Sequence, residues 1–240
     1  MDMVQMLINC DFSELERNTN FKFRVDALEL DFAPAYNGTT YHKLLDTVRK
    51  PRQLRTHLAY DFLPLHMFHT KARFIHITRN PKDVLVSLFH FYRSNKDLLG
   101  QWPGTWAEYF DMFLNKELVY GDWFDHTRGF WERRHNSRML TLRYEEMLSN
   151  PCETVQNLAE FLEIPKSDED IAKIVELTHF NIIREDPTTN FHRSFHQEHP
   201  FCRKGQVGDW KNIFSAEQSE ILDRLCAEKI EPLGLKFKFE

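Results

Sequence analysis

Short apolar runs alternate along this chain with longer stretches of helical periodicity, the pattern of a layered α/β fold. Phe74-Ile75-His76-Ile77-Thr78 reads as a strand, as do Gln53-Leu54-Arg55-Thr56-His57, opened by Pro51, and Arg138-Met139-Leu140-Thr141-Leu142-Arg143. From Asp83 to Arg93 the apolar positions Val84, Leu85, Leu88, Phe91 and Tyr92 fall on one helical face. Further helices are predicted from Met3 to Asn9, Tyr41 to Val48, Thr105 to Asn115 and Trp123 to Arg134. Another opens at Asn150-Pro151 and runs through Phe161, one follows the capping run Ser167-Asp168-Glu169-Asp170, and the last spans Ser215 to Ile230. Strands separated by helices predict a parallel β-sheet flanked by helices. Residues 21–40 are irregular, with Pro34, Asn37 and Gly38 marking turns, and residues 184–212 form a polar loop longer than connections usually are without a task. No repeat, low-complexity tract or second domain boundary is present, so residues 1–240 read as a single domain.

Charge narrows the partners. With 31 basic and 36 acidic residues the net charge is −5, which gives no global electrostatic footprint for nucleic acid or an anionic membrane. An anion site has to be built locally. Cys10, Cys152, Cys202 and Cys226 are widely spaced and form neither a CxxC pair nor a dense framework, and the first ten residues carry no basic signal region or membrane span. The expected location is therefore the cytoplasm.

Three segments carry candidate chemistry. In open α/β sheets ligands gather beyond the carboxyl ends of the strands, and helix N-termini offer unpaired N–H groups to negative charge. Arg79-Asn80-Pro81-Lys82-Asp83-Val84-Leu85-Val86-Ser87 follows one strand directly and runs into a helix, so Arg79 and Ser87 can converge on one anion; the competing reading is an ordinary strand-turn-helix with a solvated arginine. Arg55-Thr56-His57-Leu58 places a histidine at a second strand end. Arg203-Lys204-Gly205, followed by Gly208-Asp209-Trp210, offers two cations and an unhindered backbone N–H to a phosphate.

Taken in order, these segments resemble motifs of the cytosolic sulfotransferases: Lys-Thr-His-Leu-Pro, Arg-Asn-x-Lys-Asp-x-x-Val-Ser and Arg-Lys-Gly-x-x-Gly-Asp-Trp. The resemblance continues through Phe89-His90-Phe91-Tyr92, Pro103-Gly104-Thr105-Trp106, Tyr120-Gly121-Asp122-Trp123, Arg143-Tyr144-Glu145-Glu146-Met147 and Asn150-Pro151, almost the whole chain. It implies a P-loop NTPase-like sulfotransferase fold and transfer of a sulfuryl group from 3′-phosphoadenosine 5′-phosphosulfate (PAPS) to the hydroxyl or amine of a small acceptor, without a metal. By the same resemblance Arg79 and Ser87 hold the donor's 3′-phosphate together with Arg203, Lys204 and Gly205, while Tyr144, Thr178 and Phe180 lie around the adenosine. His57 matches the general base, Phe91 the acceptor wall, and Arg55 the acceptor-side position where the family has lysine. Independently, imidazole suits a base that must take a proton from an attacking hydroxyl near neutral pH, because its ordinary pKa of about 6.5 lies close to that range.

The resemblance also breaks. The family's Thr-Tyr-Pro-Lys-Ser-Gly-Thr-Thr-Trp loop, which cradles the 5′-phosphosulfate, lies between a first strand and a first helix, and here Met3 to Ile8 matches that helix itself. The sheet is expected to lack its first strand, and the chain to be an N-terminally shortened member with little or no transferase activity. Asn37-Gly38-Thr39-Thr40-Tyr41 imitates the tail of the loop, but no lysine precedes it in Phe32-Ala33-Pro34-Ala35-Tyr36. Lys211, Ser215, Ala216 and Glu220 match the family's dimer motif only in part, which weakens the expectation of a homodimer. Binding of the product nucleotide PAP without turnover, or modulation of a full-length relative, is the alternative function. Zinc ligation by His192, His196 and His199 is disfavoured by their turn-rich setting, His66 and His69 read as surface or packing residues, and a nucleotide kinase would need a glycine-rich lysine loop that is not found.

Overall fold

The computed structural model describes residues 2–9, 26–27, 53–94, 102–186 and 201–240. Within them lie two parallel strand pairs. Strand β1 (Asp26–Ala27) pairs with β2 (Leu54–Arg55), and β3 (Phe74–Thr78) pairs with β4 (Met139–Arg143), with Phe74 opposite Met139 and Thr78 opposite Arg143. The chain is thus α/β with parallel strands and flanking helices, as expected. The strand predicted over 53–57 closes after Arg55, leaving His57 in the turn beyond it. The helix predicted from Tyr41 to Val48, the segment Asn37–Tyr41 and the histidines at 192, 196 and 199 lie outside the described residues. His66 and His69 are exposed on a short 3-10 helix, Leu65–His69.

The helices are α1 (Asp2–Asn9), α2 (Pro81–Ser94), α3 (Trp106–Leu114), α4 (Trp123–Trp131), α5 (Tyr144–Ser149), α6 (Pro151–Leu162), α7 (Asp168–Leu177), α8 (Phe180–Glu185) and α9 (Ala216–Lys229). Their starts are written locally. Thr105, Ser167 and Ser215 each accept from the backbone N–H three residues on, and Glu108, Asp170 and Gln218 reach back, closing three capping boxes. Pro151 occupies the first turn of α6, where its missing N–H costs nothing.

Two cores result. An aromatic one joins α2, α3, α4 and α9 through Phe89, Tyr92, Tyr109, Phe110, Phe124 and Leu222. The other packs α1, α6 and α7 against β4 through Leu7, Leu142, Val155, Leu158 and Ile174. Helix α2 starts at the carboxyl end of β3, α5 starts at that of β4, and the aromatic core fixes α2 from behind. The turn at Arg79 and Asn80 thus joins β3 to α2.

Candidate functional site

The turn after β3 is organised by buried polar groups. Asn80, fully buried, donates its backbone N–H to Glu145 Oε1 at 2.7 Å and its side-chain amide to Asp83 Oδ2 at 2.9 Å, while its own Oδ1 accepts the Asp83 N–H at 2.8 Å. Asparagine thus caps α2 and ties it to α5 at once. Asp83, itself buried, uses its other capacity on a distant loop, accepting from the backbone N–H of Gly208 at 2.9 Å and of Trp210 at 3.1 Å. That bidentate grip draws residues 201–210 across the strand ends.

Several of the nucleotide-site residues expected from the sequence meet there. The Arg79 guanidinium donates to Gln206 O at 2.8 Å, lies 3.4 Å from Asp83 Oδ2 and sits 4.4 Å over the Tyr144 ring. Burial raises the Tyr144 hydroxyl pKa, and the nearby Arg79 charge opposes that rise without cancelling it. Gly205 is in the left-handed region at φ +64°, and a Cβ there would stand 2.2 Å from Phe180 Cδ2, so only glycine lets this backbone lie against the Phe180 ring. Thr178 is buried and its hydroxyl is used within the chain, donating to Ile174 O at 2.7 Å where α7 ends. Ser87 is exposed on α2, two turns beyond Arg79. Arg203 and Lys204 both bond the carboxylate of Asp209, which also accepts from Asn212 at 2.8 Å. Burial alone would raise Asp209, but the bonds from Lys204, Arg203 and Asn212 outweigh it and bring its pKa down to about 2.

His57 belongs to a second centre. Its ring is exposed and stacks on Tyr120 with centroids 5.1 Å apart and an interplanar angle of 25°. Face-to-face stacking sets Tyr120 against one face of the imidazole. Tyr120 is left-handed at φ 72°, in a turn pinned by the Val119 N–H on the Tyr92 hydroxyl at 2.8 Å. On the other side, His126 of α4 hydrogen-bonds the backbone of His57 and Leu58. Burial lowers the His126 pKa despite those bonds. Behind it, His76 stacks on Phe130 at 4.7 Å, and burial, helped by His126, brings its pKa down to about 3. Arg55 is half-buried at the end of β2, and Phe91 packs against the aromatic core.

Sequence reasoning passed over Asn80, Asp83, Asp209 and His126 as site residues. The first three stand inside quoted motifs, and the signal was available: short polar residues flanking Pro81 and Gly208 are those that bond backbone N–H groups in turns. His126 had no such signal, because its partners are backbone groups nearly seventy residues away. Among the described residues no group of three or more His, Cys, Asp or Glu is arranged to hold a metal ion, and no helix is long and apolar enough to cross a membrane.

The chain is similar to known proteins over most of its length. A family model for the sulfotransferase domain matches residues 2–234. Mouse sulfotransferase 1B1 is 38% identical over 200 residues, covering 81% of this chain and 66% of the relative, and mouse sulfotransferase 1 family member D1 is 34% identical over 237 residues, covering 97% and 78%. The chain thus spans about two thirds of the length of the first and rather more of the second. Among solved structures, mouse sulfotransferase SULT7A1 complexed with PAP superposes with a TM-score of 0.69 at 34% identity, covering 78% of this chain and 69% of that one. Retinol dehydratase in complex with androsterone and inactive cofactor PAP shares the fold with a TM-score of 0.87 at 22% identity, covering 98% and 78%. With strand ends, buried capping network and basic loop assembled in the order the motifs run, the chain belongs to the sulfotransferase family, transferases of sulfuryl groups.

Proposed function

We propose that this chain binds PAPS and transfers its sulfuryl group to the hydroxyl or amine of a small acceptor, with His57 as general base. The observation that carries the reading is the convergence of Arg79, Tyr144, Phe180 and Gly205 at the strand ends. A guanidinium supplies charge-assisted donors for a phosphate, and the Tyr144 and Phe180 rings supply apolar faces for a nucleoside. Gly205, with no Cβ, lets the loop backbone lie against the Phe180 ring, where any other residue would clash. These features fit the 3′-phosphate and ribose side of the donor, and complexes of two structural neighbours with PAP support the same ligand class here. Arg203 and Lys204 add two cations beside that place, and Ser87 and Thr178 are its remaining members. PAPS supplies an activated sulfuryl group; the chain supplies orientation and proton removal. His57 takes the acceptor's proton, while Phe91 and Arg55 border the acceptor.

The acceptor is a phenol, alcohol or amine. Androsterone and retinol, bound by retinol dehydratase, are the first compounds to try. We place the protein in the cytoplasm, in keeping with its sulfotransferase relatives. Lys211 is paired with Glu240 at 2.6 Å and Ser215 caps α9, so two residues of the partial dimer motif are engaged within the chain, which favours a monomer.

A second reading is binding of PAP without turnover, since Arg79, Tyr144, Phe180 and Gly205 serve the nucleotide rather than the group transferred. Calorimetry with PAP, followed by turnover of PAPS with androsterone, retinol and a simple phenol, separates the two. Binding with turnover supports the transferase, binding alone supports the second reading, and no binding refutes both.

A further inference from the structure

Arg203 and Lys204 do not point independently into solvent. They bond the two oxygens of one carboxylate, Arg203 on Oδ2 and Lys204 on Oδ1 of Asp209. That carboxylate is 3% exposed, and a third donor, Asn212 Nδ2, reaches its Oδ1 at 2.8 Å. Its position is set from the other side of the chain. The N–H groups of Gly208 and Trp210, one residue either side, are both held by Asp83, and Gly208 at φ +88° makes the turn. With its two neighbours gripped by α2, Asp209 has one direction left, and its oxygens meet the two cations.

We infer that Asp209 is the positioning residue for recognition of the donor's 3′-phosphate: it holds Arg203 and Lys204 side by side so that their remaining N–H groups converge on one anion. The inference rests on the reading that Arg203 and Lys204 face that phosphate. The donor count permits it. A guanidinium has five N–H groups and an ammonium three, so each keeps donors for a phosphate after bonding Asp209. Both side chains are long and rich in rotamers, and a partner that fixes them beforehand removes ordering cost from the binding step. Asp209 also repels the incoming phosphate. That repulsion is offset by the two cations bonded to the same carboxylate, whereas direct bonds depend steeply on orientation. Orientation therefore outweighs repulsion. The depressed Asp209 pKa is in keeping with a carboxylate that stays ionised at every pH of interest.

The test compares two nucleotides that differ only at the 3′ position. Dissociation constants for PAP and for adenosine 5′-monophosphate are measured by calorimetry in the unaltered chain and in Asp209→Asn, which keeps the shape and removes the charge. The expected result is a fall of about tenfold in the preference for PAP, with the affinity for adenosine 5′-monophosphate unchanged. Equal weakening of both nucleotides would mean that Asp209 only supports the loop, and a gain in PAP affinity that it merely competes with the phosphate; either overturns the inference. Should Asp209→Asn fail to fold, Asn212→Ala leaves the carboxylate in place and frees it to turn. A smaller fall in the same preference is then expected, and an unchanged preference overturns the inference. If the unaltered chain itself shows no preference for PAP, the reading of the two cations as a 3′-phosphate clamp fails, a result distinct from the failure of Asp209 to position them.

Discussion

His76 makes this protein sensitive to mild acid. The ring is 6% exposed, its Nδ1 has no hydrogen-bond partner, and its pKa lies near 3 against an ordinary 6.5. Unfolding returns it to water and to the ordinary value. Above pH 6.5 neither state holds the proton and His76 has almost no effect. As the pH falls from 6.5 toward 3 the unfolded chain takes up a proton that the folded chain refuses, so stability drops through that window and no further below it. Each pH unit inside it is worth about 1.4 kcal/mol, giving a loss of about 2 kcal/mol by pH 5 and about 5 kcal/mol by pH 3, a large part of the ~5–15 kcal/mol that holds a domain folded. Urea unfolding followed by tryptophan fluorescence at pH 7.5 and pH 5.0 measures it, with His76→Leu as the non-titrating comparison. Other groups titrate equally in both proteins, so the variant's loss between the two pH values should be smaller by about 2 kcal/mol. Equal losses in the two proteins would refute the reasoning.

Three further outcomes follow from named contacts. Replacing His57 by Ala should lower turnover by about 10²–10⁴-fold, the range for removal of a general base, while calorimetry shows PAP binding unchanged. Asp83→Ala removes the acceptor for the Gly208 and Trp210 N–H groups, the Asn80 amide and the Arg79 charge, so urea titration should show about 3–5 kcal/mol of destabilisation and PAP binding should be lost with the loop. Gly205→Ala drives a methyl into the Phe180 ring from a left-handed backbone and should weaken PAP binding at least tenfold. Adding Phe180→Ala should recover part of that loss, and strict additivity of the two substitutions in calorimetry would contradict the contact.

Strands β2 to β4 and the longer helices with their starts were legible because each depends on nearby residues: apolar runs, capping boxes at Thr105, Ser167 and Ser215, and Pro151 at a first turn. By contrast β1, two residues inside the stretch expected to be irregular, and the short helices α5 and α8 carry too few residues for a period to show. Strand β2 ends at Arg55, short of the residues 53–57 that the pattern predicts, because the Thr56 hydroxyl accepts the Leu58 N–H at 3.1 Å and turns the chain. Arg79, Gly205 and His57 were legible as candidates because their residue types announce charge, backbone freedom and proton transfer. What holds them was not, since Glu145, Asp83 and His126 act through backbone groups that carry no sequence identity, and Asp209 acts on cations whose charge already explained their presence.

This difference has a physical root that bears on the site itself. A buried carboxylate survives only where N–H groups satisfy it, and Asp83 and Asp209 are satisfied mainly by a loop on one side and by cations on the other. The loop is therefore not an appendage that a ligand must order from scratch. Its backbone neutralises an acid on α2, and its own acid gathers the two cations, so folding the loop and assembling the anion site are one event. A change at Asp83 accordingly reaches Arg203 and Lys204 without touching either, because Gly208 and Trp210 lose their anchors and Asp209 loses its direction. Binding of PAP should then depend on residue 83 as strongly as on the cations themselves, although Asp83 carries the same sign of charge as the ligand.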